Sequence, residues 1–180
     1  ASAFDDASGN SFSGITQSSL KVDAVSSFSD GVNGFDALSG AHKVTTVVIG
    51  GNTYALAISD RSETGSGGLQ IIDISDPANP TAKSSLFHNF PNPKLEGPAG
   101  VSTALIGGNT YALVTHSSDY GVSIFNISDP SNPTQITTLV DGQNGFDKLR
   151  GGQEIKIVDL DGVTYAFVAT ASEGAVQIIN

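Results

Sequence analysis

A chain of 180 residues is long enough for one self-supporting domain, because folding at that size buries roughly two thirds of the unfolded surface. It has no cysteine, methionine or tryptophan, which excludes a disulfide scaffold, a zinc–thiolate site and a thiol nucleophile. Eight basic against 18 acidic residues give a formal charge of −10, which argues against nucleic acid or an anionic membrane as a charge-matched partner. No apolar run of about 18 residues is present to span a bilayer. The first residue, Ala1, is that of a processed mature chain or of a fragment, and a charged fraction of only 14%, 21 glycines and many serines and threonines lead us to expect a chain that is secreted or at the cell surface.

Residues 1–19 form a tail with Phe4, Phe12 and Ile15 spaced among small polar residues. It is either a loosely docked terminus or an arm that adds as a strand to another subunit. Residues 20–180 are expected to be one repeat domain. Its first element is DAVSSF, Asp23–Phe28, followed by the glycine-rich DGVNGFDALSG, Asp30–Gly40. The latter returns 111 residues later as DGQNGFDKLRG, Asp141–Gly151. Asp30, Asn33 and Asp36, and again Asp141, Asn144 and Asp147, set three oxygen side chains in a short loop. Calcium takes six to eight oxygens, and such a loop supplies three beside its own carbonyls, which makes these residues calcium candidates. The spacing is not that of an EF-hand, and the middle copy reads HNFPNPK. Asp-Gly and Asn-Gly are also plain turn chemistry.

Three repeats organise the chain, over approximately 24–80, 81–133 and 134–180. IGGNTYAL at Ile49–Leu56 recurs at Ile106–Leu113 and, as LDGVTYAF, at Leu160–Phe167. Val44–Ile49 and Tyr54–Ile58 flank the hairpin signal Gly50-Gly51-Asn52, and Asp161-Gly162 serves the third copy. Arg61–Gly67 is an insertion before the third strand, Leu69–Ile74, where Leu69 and Ile71 share one face and Gln70, Ile72 and Ile74 the other. A strand apolar on both faces belongs to a sheet covered on both sides. IIDISDPANPT, Ile71–Thr81, returns as IFNISDPSNPT, Ile124–Thr134, and each leads into a more polar fourth strand, Ala82–Leu86 and Gln135–Leu139. No stretch keeps a helical period.

Four antiparallel strands in about 55 residues, apolar on both faces with a polar outer strand, make an all-β chain of three propeller-type blades; a β-sandwich would show one polar face per sheet. GLQIIDISDPANPT and GVSIFNISDPSNPT resemble the LVIVD repeat, a β-propeller repeat of bacterial and archaeal surface proteins, and the likeness extends over roughly Ala24–Asn180. The resemblance implies the propeller fold and brings no catalytic motif. The third copy stops at IIN before an SDPxNPT turn and outer strand, whereas Asp23–Phe28 aligns with Thr81–Leu86 and Thr134–Leu139. Asp23, Ala24, Val25, Ser26, Ser27 and Phe28 are therefore expected to complete the sheet of Ile155–Leu160, Thr164–Thr170 and Ala175–Ile179, preferably between chains, in a ring of two or an open polymer. The alternatives are pairing within one unusually tightly curved chain and a fragment of a longer propeller.

Other chemistry is sparse. His42, His88 and His116 lack ligand spacing and are expected on surfaces or loops, and no GxSxG elbow supports a hydrolase triad. Asp73, matched by Asn126 and Asn180, should tie a turn or an interblade bond, since an Asp/Asn exchange would destroy a general base. Asn126-Ile127-Ser128 is a glycosylation sequon. These observations lead us to expect a non-enzymatic extracellular structural protein, without a resident cofactor, that assembles with itself. The alternative is a surface module binding a glycan or protein through its loops.

Overall fold

The computed structural model describes residues 23–60, 67–88, 95–118 and 120–180. The tail of residues 1–19, most of the 61–67 insertion and most of the HNFPNPK stretch lie outside them. Among the described residues all regular structure is β, in three antiparallel sheets of four, four and three strands. The first contains β1 (Ala41–Ile49), β2 (Asn52–Ser59), β3 (Gly68–Asp73) and β4 (Thr81–Phe87) in that order. The second contains β5 (Pro98–Ile106), β6 (Asn109–His116), β7 (Gly121–Asn126) and β8 (Thr134–Val140), and the third β9 (Gly152–Leu160), β10 (Val163–Thr170) and β11 (Ala175–Ile179).

Local chemistry explains the meander. The β1–β2, β5–β6 and β9–β10 links are two-residue turns whose central pairs, Gly50-Gly51, Gly107-Gly108 and Asp161-Gly162, all have positive φ. Such turns match the right-handed twist of the strands they join. β1 begins earlier than the apolar run suggests, at Ala41, because a bulge between Ala41 and Lys43 keeps the hairpin paired beyond Val44.

The sheets pack through both faces, as the two-sided β3 predicts. Leu56, Ile58, Leu69 and Ile71 of the first sheet meet Val101, Ala112, Val114 and Phe125 of the second in one core. The opposite face of the second sheet, with Leu113 and Val122, packs on Ile155, Ala166 and Val168 of the third. Each such aliphatic side chain contributes about 1.5–3 kcal/mol when fully buried. At one end the inner strands of the first and third sheets approach each other, and Lys43 Nζ reaches Glu154 Oε2 at 2.8 Å.

Among the described residues the third sheet has three strands, and β11 pairs with β10 alone. Residues 23–28 lie instead beside the first sheet, where the Ser26 hydroxyl donates to the Pro77 carbonyl at 2.6 Å.

Candidate functional site

The two glycine-rich loops fold alike. Asp30 Oδ1 accepts from the Leu38 and Ser39 amides, at 2.7 and 3.0 Å, and Asp141 Oδ1 accepts from Leu149 at 2.9 Å. Gly31 N–H donates to Phe35 and Gly142 N–H to Phe146, each at 2.8 Å. Asn33 and Asn144 hold left-handed φ values of 54° and 53°, a conformation asparagine tolerates better than most residues. One carboxylate oxygen of each leading aspartate thus closes its loop, while Asp36 is half-buried and Asp147 exposed. Among the described residues no group of three His, Asp or Glu side chains converges to hold a metal ion.

Each loop seats itself on a sheet face. Phe146 and Leu149 fill the junction between the second and third sheets. Phe35 and Leu38 pack on Ala55, Ile72 and Ala82, the face of the first sheet turned away from the second. Gln70, fully buried on that face, holds the loop: its Oε1 accepts from the Ala37 amide at 3.1 Å, and its Nε2 donates to Gly34 O at 3.3 Å and to Ser84 O at 3.0 Å. Ser85 donates to the same Oε1 at 2.9 Å. Sequence patterning places Gln70 on this face without revealing what it binds there.

The SDPxNPT turns are rigid. Asp76 accepts from the Ala78 amide and from Asn79 Nδ2 at 3.0 and 2.8 Å, and Asp129 accepts from Ser131 and Asn132 at 3.0 and 2.9 Å. The asparagine side-chain bonds hold both carboxyls below the usual aspartate range. Asp73 takes the Ser75 amide at 3.0 Å and Asn126 the Ser128 amide at 2.9 Å, so both tie the turn as expected. The side-chain oxygen of the sequon residue Asn126 is thereby engaged. The bond from the Ser75 amide, helped by the Ser75 hydroxyl and Lys83, lowers the Asp73 pKa.

These fixed turns present proline carbonyls to the neighbouring outer strand. Ser84 of β4 donates to Pro130 O of the second sheet at 2.9 Å. Ser26, which stands at the repeat position of Ser84, makes the same bond to Pro77 of the first sheet. Phe28 stacks on Phe35 with ring centroids 4.6 Å apart. The segment 23–40 therefore sits against the first sheet. Beyond this segment Val44 and Val48 of β1 are exposed.

The far side of the stack is the outer face of the third sheet. It carries Val158, Leu160, Val163, Tyr165, Phe167, Val176 and Ile178, with Val176 and Ile178 60% and 55% exposed. Tyr165 and Phe167 occupy the repeat positions of Tyr54 and Leu56, and Ile178 that of Ile71, all buried in the first junction.

The histidines do not gather. His42 is exposed and faces Gly40 O, and His88 Nδ1 accepts from the Leu95 amide at 3.1 Å. His116 corrects the surface expectation: it closes β6 fully buried, with Nε2 2.9 Å from Ser123 Oγ, which itself lies 3.0 Å from Thr138 Oγ1. That Ser–His pair is 0% exposed.

No curated protein matches the chain. Residues 64–87, which hold β3 and β4 of the first sheet, match the family model of the LVIVD repeat. The chain carries the LVIVD repeat.

Proposed function

We propose that this is a non-enzymatic structural protein of the cell exterior that builds larger assemblies by sharing β-strands between copies, as a filament or a closed ring. Each sheet then acts as a propeller-type blade, and residues 23–28 of one copy complete the third sheet of the next. The observation that carries the reading is the Ser26–Pro77 bond, which repeats the Ser84–Pro130 link between two sheets of one chain. It holds the front segment as if a sheet preceded it, while β11 has an open edge and an exposed apolar face. Continuing the stack through another copy covers both.

Sedimentation velocity from micromolar to near-millimolar protein, with electron microscopy of the heaviest fraction, tests the proposal. Concentration-dependent multimers are the expected result. A particle of 18.4 kDa at every concentration would overturn it and would favour the loop-binding module.

A further inference from the structure

In both four-stranded sheets one polar pair joins the third strand to the outer strand. Ser85 donates to Gln70 Oε1 at 2.9 Å in the first, and Ser123 and Thr138 lie 3.0 Å apart in the second. Ser85 and Thr138 are repeat equivalents, as are Gln70 and Ser123. The third sheet supplies the inner member, Gln177, paired with Val168 as Gln70 is paired with Ala57. Gln177 is half-buried, and its Nε2 bonds the carbonyl of Ile178 at 3.3 Å, much as Gln70 Nε2 approaches Ile71 O at 3.5 Å. The outer member at the matching position is Ser27, which is exposed beside Ser26.

Resting on the strand-sharing reading, we infer that Gln177 is the residue that selects and registers the donated strand of a second copy, through the Ser27 hydroxyl and the Ser26 carbonyl. The β3–β4 pairing gives the register: Leu69 faces Leu86, Gln70 faces Ser85, Ile71 faces Ser84, and a bulge precedes Ile72 facing Ala82. Transferred by repeat position, Val176 faces Phe28, Gln177 faces Ser27, Ile178 faces Ser26 and Ile179 faces Ala24, with Val25 in the bulge. Phe28 then covers Val176, and Ser26 keeps its hold on Pro77, so one segment clips two copies together. A slip by one residue would turn Phe28 to the opposite face and leave the Gln177 amide against a residue without the hydroxyl.

One position resists. Gly68 and Gly121 begin β3 and β7 where an added Cβ would press on the carbonyls of Leu86 and Leu139, and the third sheet has Ala175 there. The donated strand must diverge at Phe28 O, so Ala175 limits the affinity of the contact.

The absence of native cysteine allows the register to be read directly. Oxidation of the Ser26→Cys/Ile178→Cys protein should give a ladder of disulfide-linked multimers, since directly facing residues lie within disulfide reach. The Ser26→Cys/Val176→Cys protein should give none, because the diagonal separation is about 7–8 Å. Gln177→Leu should weaken assembly about tenfold, the expected loss for a buried hydrogen-bonding partner, and Ala175→Gly should strengthen it. Circular dichroism of the reduced proteins checks that each variant is folded. A ladder only from the diagonal pair, or an internal disulfide without multimers, overturns the inference. So does assembly of the unmodified protein that survives Gln177→Leu unchanged. A native protein that never associates overturns the strand-sharing reading itself, and the inference with it.

Discussion

The face that the first sheet turns to the second and the outer face of the third are built from the same repeat positions and meet opposite environments. Tyr54, Leu56, Leu69 and Ile71 are buried in the junction, whereas Val176 and Ile178, the counterparts of Leu69 and Ile71, are more than half exposed. The strands, turns and alternation are otherwise alike. Burial in this molecule is thus a property of the neighbour and not of the strand. A sheet apolar on both faces calls for cover on both.

Substitution at the paired positions breaks the comparison most strongly. Ile71→Ala should destabilise the monomer by about 2–5 kcal/mol, the usual cost of truncating a fully buried isoleucine. Ile178→Ala should change monomer stability by less than about 0.5 kcal/mol, as for an exposed site, and act on assembly instead. Urea denaturation of both variants at low protein concentration separates them; equal losses would erase the distinction between the faces. Next in size is Gly121→Ala, whose methyl meets the Leu139 carbonyl and should cost about 1–3 kcal/mol by forcing β7 from β8. A thermal melt matching the unmodified protein would show that the outer strand yields freely.

Gln70→Leu removes the partner of the Ala37 amide and of Ser85, a loss of about 1–3 kcal/mol that should fall mainly on the 30–40 loop. Hydrogen exchange should show faster exchange at Leu38 and Ala37 than in the unmodified chain, while Leu149 in the second loop stays protected. Uniform loosening would mean that the loop is not held locally.

The smallest effect is that of pH. Asp73, Asp76, Asp129 and Glu154 all have carboxyl pKa values lowered in the folded protein, Glu154 chiefly by the hydrogen bond from Lys43. A depressed folded pKa gives stability that is complete above the unfolded value and is lost as pH falls through the folded one. The melting temperature should therefore decline below about pH 4, the ordinary carboxylate range. Glu154→Gln should shallow that decline only slightly, because Lys43 and Glu154 are both more than a third exposed and solvent screens the pair. An unaltered acid profile in a quadruple amide variant would remove these carboxylates as its cause.

Much of the fold is legible in the sequence because its signals are local. The two-residue turns need positive φ, which Gly-Gly and Asp-Gly supply, and β3 shows its two apolar faces by alternation alone. The turn role of Asp73 and Asn126 follows from their exchange at one repeat position. The sheet junctions are not legible, because they depend on how separate elements meet in space. Nothing in GLQIID says that Gln70 binds the carbonyl of Gly34, 36 residues earlier. His116 reads as a surface or loop residue until Ser123 is seen beside it. The Ser26–Pro77 link is equally hidden, although the serine is visible as a repeat position and the proline as a turn.

The order of strands also bears on synthesis. Every sheet pairs strands that are neighbours along the chain, so each can close soon after its own residues leave the ribosome, which emerge at about 5–20 per second. Residues 23–40 are an exception in timing. They are made before the first sheet, yet Gln70 and Pro77, which hold them, are made after it has begun. For several seconds the segment with Val25, Phe28 and Val32 has no seat, and its exposed apolar side chains wait for the first sheet to close beneath them.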